Sequence, residues 1–249
     1  MSGHSKWSSI KHKKGAADAK RGKLFARLIR GIESAAKVGG PDPDGNPTLA
    51  AAVQKARDAS MPKDNIERAL KRAAGGLDGI SYETVYYEGY GPGGVALYVE
   101  CLTDNRNRAA NDVRAAFNKN GGALAAPGAV NYLFKRTGIV IVPAAGTSED
   151  EVLAAGLEAG IEDVVVDSET LTVVTPPNDV QAVRAALEQS GVAVASSEVT
   201  MLPSVTVSID DESAAKAVLR LLEVLEDCDD VQNVYANFDI PDRILEAVA

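Results

Sequence analysis

Six residues near the start of the chain have side chains suited to holding a phosphate or a base: Lys6, Trp7, Lys11, His12, Lys13 and Lys14, in the stretch GHSKWSSIKHKK. Lysine neutralises phosphate and releases its counterions, and a ring set among lysines stacks on an unpaired base. Trp7 is the single Trp of the chain, and both histidines, His4 and His12, lie in this stretch. The alternative is a solvated tail whose Trp tucks against neighbouring helices.

A second basic group follows. Lys20, Lys23, Arg27 and Arg30 recur at three- and four-residue steps, so a helix places them on one face. Leu24, Phe25, Leu28, Ile29, Ile32, Ala35 and Ala36 fall on the other, apolar face. A basic amphipathic helix also suits an anionic membrane, but that needs a free apolar face, and this one has two further helices to pack against.

Arg106 and Arg108 form a third candidate. In TDNRNRAANDVR, Asp104 or Thr103 is predicted to cap a helix, which puts both arginines in its first turn, where cations oppose the helix dipole. A bound anion, held by helix-end N–H groups and Arg forks, would explain this second site. A carboxylate partner within the same domain would explain it equally well.

Catalytic patterns are missing. With both histidines in the opening stretch, none is left to join Ser or Cys and Asp in a folded cleft, and G-x-S-x-G, H-E-x-x-H and the P-loop pattern do not occur. Gly89, Gly91 and Gly94 satisfy G-x-G-x-x-G, yet a β-branched strand follows them where a dinucleotide fingerprint requires a helix, so a turn is expected. Two cysteines, Cys101 and Cys228, are too few for a disulfide framework or a zinc site. No apolar run approaches the ~20 residues of a membrane span.

The elements that must carry these residues divide the chain. After a basic arm, helices are predicted from about Ala16 to the VGGPDPDGNP loop, from Thr48 to about Ser60, and from Pro62 to the glycines at 75–76. Strands follow at YETVYYEGY and GVALYVECL, then a helix at NRNRAANDVRAAFNKNGG and a strand at AVNYLF. Next comes strand 138–143, helix 149–159, strands 163–167 and 170–175, helix 178–189 and strand 192–201, the ferredoxin-like βαββαβ order. SVTVSI, the AAKAVLRLLEVLE helix and VQNVYANF give a last βαβ. The expected fold is multidomain α and α+β. A helical domain with a basic arm occupies 1–76, and an α+β domain is made of 77–137 plus 203–249. A second α+β domain, 138–202, is inserted in it.

Charge follows the same division. The net charge of −9 averages a segment 1–76 with sixteen Lys and Arg against seven acids and a remainder with ten against twenty-eight. Such asymmetry marks a polyanion-binding part on an acidic body.

MSGHSKWSSIKHKKGAADAKRGKLF, YYEGYGPGGVAL and TDNRNRAANDVRAAFNKNGG together resemble the YebC family, which includes bacterial probable transcriptional regulators and the mitochondrial translational activator of cytochrome c oxidase. The resemblance spans almost the whole chain. It implies a helical N-terminal domain with two α+β domains, one inserted in the other, and neither metal nor cofactor. It also implies a non-catalytic regulator of gene expression, with either DNA or the ribosome and its RNA as partner. Carried onto this chain, the contacts would be Lys6, Trp7, Lys11, His12, Lys13 and Lys14, extended by Lys20, Lys23, Arg27 and Arg30.

The residues tilt the choice towards RNA. No exposed recognition helix, zinc finger or coiled-coil seam is evident for reading duplex DNA, whereas a Lys/His/Trp arm suits irregular RNA with splayed bases. Two other classes remain open: an adaptor docking through its acidic domains, and an enzyme with an acidic cleft. A monomer is favoured, with no membrane and no small-molecule substrate. An opening at GHSKW with no Arg- and Ser-rich stretch ahead of it points to a bacterial cytoplasm.

Overall fold

The computed structural model describes residues 18–75 and 81–248. Helices α1 (Asp18–Gly39), α2 (Pro47–Asp58) and α3 (Lys63–Ala74) come first. Leu28, Ile32, Ala35 and Ala36 of α1 are buried, as the apolar spacing requires, together with Leu49, Val53 and Ala56 of α2 and Ile66 and Ala69 of α3. Asn46 starts α2: its Oδ1 accepts from the Leu49 N–H at 3.1 Å, and its Nδ2 donates to the Ala35 and Gly40 carbonyls, each at 2.9 Å.

By compactness the chain forms two units, 1–34 with 72–135 and 202–249, and 35–71 with 136–201, so the helical segment contributes to both. In the first, β1 (Glu83–Tyr90) and β2 (Ala96–Thr103) form an antiparallel hairpin. The turn between them is a short 3-10 stretch in which Gly93 and Gly94 have φ of 71° and 75°, the left-handed region that favours glycine. Gly89 is equally constrained, because a Cβ there would meet the Phe117 ring at 2.6 Å. The G-x-G-x-x-G stretch is therefore a turn between strands.

Helix α4 (Arg106–Lys119) follows, then β3 (Ala123–Leu124). The sheet is completed by β9 (Val231–Ala236), in the order β3-β1-β2-β9. Its core gathers Leu97 and Val99 with Phe117 of α4 and Leu221, Leu222 and Leu225 of the long C-terminal helix. Three expectations need correction in this unit. AVNYLF is not a strand: Asn131–Leu133 make a 3-10 turn, and the extended chain resumes at Phe134. Glu88 explains this, because its carboxylate accepts from the N–H groups of Gly128, Val130 and Asn131 at 2.7, 2.6 and 3.0 Å, which curls the segment around it. Second, the cap of α4 is Asn105, whose Oδ1 accepts from the Arg108 N–H at 3.1 Å, one residue beyond Asp104. Third, the last βαβ is split, since its first strand pairs outside the main sheet.

The second unit holds most of β4 (Phe134–Pro143), then α5 (Glu149–Gly156), β5 (Asp163–Val166), β6 (Thr170–Thr175), α6 (Val180–Gln189) and most of β7 (Ser196–Pro203). The sheet order β5-β6-β4-β7 is the ferredoxin-like arrangement that the βαββαβ sequence calls for. Its core is Val140, Val142, Val152, Leu171, Val173, Val183 and Leu187. Ser148 and Glu151 form a capping box at the start of α5.

The chain then returns to the first unit. β8 (Val207–Ser208) is parallel to β10 (Phe238–Asp239), with α7 (Glu212–Glu226) between them, and a final helix α8 (Asp242–Val248) follows. Among the described residues, no helix is long and apolar enough to cross a membrane.

Candidate nucleic-acid interface

Lys6, Trp7, Lys11, His12, Lys13 and Lys14 lie outside the described residues. The basic stripe can be followed from α1 onward, where Lys20, Lys23, Arg27 and Arg30 all belong to that helix. Three of the four face a short acidic turn at the end of α7, Glu226-Asp227-Cys228-Asp229-Asp230.

The contacts have a local cause. A helix ends with orphan carbonyls and a partial negative charge, usually met by a cation in its last turn. α7 has no basic residue there. Instead, α1 supplies the cations: Arg27 donates to the Glu226 carbonyl, and Lys23 Nζ donates to the Asp227 carbonyl at 3.3 Å. Arg27 also reaches the Gln232 carbonyl at 3.5 Å. Burial pulls the Arg27 guanidinium below its ordinary pKa, against the opposing pull of the Glu226 carboxylate.

Side-chain pairs complete the contact. Lys23 Nζ lies 3.4 Å from Asp227 Oδ1, with both groups half exposed. Arg30 Nη1 donates to Asp230 Oδ1 at 3.2 Å, where the aspartate is only 5% exposed. The same carboxylate is gripped from the other side by Arg108, whose Nε donates to Oδ2 at 2.9 Å and whose Nη2 donates to Oδ1 at 2.8 Å. Arg108 Nη2 also donates to Asp104 at 2.7 Å. These bonds, Asp230 first, push the Arg108 pKa above its ordinary value. Arg106 stands apart, paired with Glu83 at 2.6 Å.

Both arginines of the candidate second anion site thus have carboxylate partners. The cations at the start of α4 are explained by Asp230, Asp104 and Glu83, and no anion need be invoked. Beside them is an open cleft of about 340 Å³ lined by Arg30, Tyr82, Asp104, Arg108, Asp229 and Asp230. Cys228, in the same turn, is pushed up to about 11 by burial first and then by Asp112, Asp227 and Asp229, so it remains a thiol at neutral pH. Among the described residues, no cluster of His, Cys, Asp or Glu is placed to hold a metal ion.

Sequence reading missed the acidic turn. Its signal was present: four carboxylates in five residues, directly after a helix whose last turn lacks a cation.

Fold and surface together define a protein of helical and α+β parts whose distinguishing feature is a charged surface. A family model described as the TACO1/YebC protein N-terminal domain matches residues 5–76, and one described as the TACO1/YebC second and third domain matches residues 82–238. The chain belongs to the TACO1/YebC family. It is 60% identical over 249 residues to a protein of Acidothermus cellulolyticus and 57% identical over 250 residues to one of Thermobifida fusca, covering 100% of each chain. Both relatives bear the name probable transcriptional regulatory protein. The crystal structure of a conserved hypothetical protein from Aquifex aeolicus matches with a TM-score of 0.83 at 50% identity, covering 93% of this chain and 96% of that one.

Proposed function

We propose that the protein is a non-catalytic, nucleic-acid-binding regulator of gene expression, acting as a ribosome- or rRNA-associated translation factor in a bacterial cytoplasm. The observation that carries this reading is the segregation of charge, with the excess of Lys and Arg confined to 1–76 and the rest of the chain acidic. Arg27 and Arg30 are committed to internal partners, so contact falls to Lys6, Trp7, Lys11, His12, Lys13 and Lys14, with Lys20 and the half-exposed Lys23 extending it. The segment 1–76 acts as the binding domain, with 77–137 plus 203–249 and the inserted 138–202 as its α+β body. A second reading, DNA binding through the same residues, is favoured by the names of the relatives.

Co-sedimentation with ribosomes tests it, comparing the wild type with a variant in which Lys11, Lys13 and Lys14 are all changed to Ser. Wild type should travel with ribosomal particles and the variant should stay at the top. Loss of three phosphate contacts should also flatten the dependence of log affinity on log salt by about 2 for single-stranded RNA. If wild type stays at the top at low and moderate salt, yet binds duplex DNA in an arm-dependent way, the second reading replaces the first.

A further inference from the structure

Helix α1 carries six Lys and Arg against Asp18 and Glu33, a net of +4, and the turn 226–230 carries four acids and no base, a net of −4. The two meet through Lys23, Arg27 and Arg30. Along that face Lys23 pairs with the Asp227 carboxylate and Arg30 with that of Asp230, with Arg27 on the Glu226 carbonyl, so the turn offers what a phosphate backbone offers: oxygens that accept from lysine and arginine.

We propose that the acidic turn 226–230 is an intramolecular stand-in for a phosphate backbone, and that nucleic acid binds α1 by exchanging its phosphates for the outer carboxylates of that turn. The inference rests on the nucleic-acid reading above and specifies how that binding is restrained.

The geometry sets where exchange begins. At the outer end, Lys23 and Asp227 are both half exposed, and such pairs contribute little and are screened by salt. Asp229 is exposed beside them and lines the open cleft that Arg30 and Arg108 also line. At the inner end, Asp230 is buried between Arg30 and Arg108 and keeps the turn anchored. Lys23 is more exposed than Arg30, so an arriving strand meets it before Arg30. The strand gains Lys23, and then the cleft, only by displacing Asp227 and repelling Asp229. The turn therefore lowers affinity for any polyanion that lacks enough contacts on the arm to offset that exchange.

The test uses fluorescence anisotropy with a labelled single-stranded RNA and the full chain. Three proteins are compared: wild type, Asp227→Asn with Asp229→Asn, and a control with the same charge change elsewhere, Glu158→Gln with Glu162→Gln. All four acids are exposed, so the variants keep the buried Asp230 anchor and the fold. The turn variant should bind about threefold tighter than wild type or more, with a steeper salt dependence, while the control gains clearly less. Equal gains in both variants would mean a general charge effect and overturn the proposal, as would no gain in the turn variant. The Lys11, Lys13 and Lys14 variant separates the two readings. If it loses RNA and the turn variant equals the control, the arm binds nucleic acid without this restraint. If neither wild type nor the turn variant binds RNA or DNA at low salt, the nucleic-acid reading itself falls, and the restraint with it.

Discussion

Arg108 grips both oxygens of Asp230, through Nε at 2.9 Å and Nη2 at 2.8 Å, across 122 positions of chain. Arg30 adds a third hydrogen bond to the same carboxylate at 3.2 Å. Asp230 thereby ties α1, the start of α4 and the lead into β9 to one point. Its own backbone carbonyl accepts from the Leu102 N–H at 2.8 Å, which extends the tie to β2.

Removing that carboxylate leaves two guanidinium groups facing each other without a counter-charge. Asp230→Ala should cost about 2 kcal/mol, below the full penalty of a broken buried pair because Arg108 is half exposed and stays solvated. Asp230→Asn keeps the shape and two acceptor lone pairs, and should cost less. Urea unfolding followed by circular dichroism measures both. Equal stability of the alanine variant and wild type would show that the arginines simply turn to solvent.

Glu88 carries the pH dependence of the first unit. Burial alone would push its carboxyl up, but the three N–H donors of Gly128, Val130 and Asn131 together outweigh burial and hold it below the ordinary 4.5. A carboxyl depressed in the folded state stabilises above the unfolded pKa, and that stability is lost as pH falls through the lower, folded value. The thermal stability of wild type should therefore fall as pH drops below about 4.5, with part of the loss due to this one group. Glu88→Gln should be less stable at pH 7 by about 1–2 kcal/mol, having lost one charged acceptor, and the gap to wild type should narrow with acid. A gap that is constant from pH 7 to 3.5 would remove Glu88 from the account.

The same residue shows where the sequence stops being legible. In AVNYLF the β-branched and aromatic residues suggest a strand, yet Val130 and Phe134 are buried while Tyr132, which a strand would put on their face, is exposed. Its 3-10 turn is imposed by a carboxylate forty positions earlier, which no local pattern reveals. The ferredoxin-like half was legible because its strands and helices bury their own periodic faces, as Val140, Val142, Leu171 and Val173 do in the strands and Val183 and Leu187 in α6. Helix α8 went unread because only seven residues, with Ile244 and Leu245 buried, give too short a period. For the α1 stripe, spacing correctly put Lys23, Arg27 and Arg30 on one face. Whether that face meets solvent or the carbonyls and carboxylates of an acidic turn is decided about 200 positions away, at Glu226, Asp227 and Asp230.

The second unit has its own buried charge pair. Arg184 of α6 donates to both oxygens of Asp58 at the end of α2, at 2.7 and 3.0 Å, and to Ser197 Oγ and Glu188 at 3.0 and 2.9 Å. Both partners of the pair are about nine-tenths buried, and the Ser197 N–H also donates to Asp58 at 3.3 Å. Breaking the pair from either side strands a charge away from water, so Asp58→Leu and Arg184→Met should each cost about 3 kcal/mol. Together they strand nothing charged and add apolar surface, so the double variant should be more stable than either single one, with a coupling of about 2 kcal/mol or more. The Ser197 N–H loses its acceptor in the double variant, which keeps it below wild type. A double-mutant cycle from urea unfolding reads the coupling directly. If the double variant loses the sum of the two single costs, Asp58 and Arg184 act independently, and the link from α2 to α6 rests on packing instead of charge.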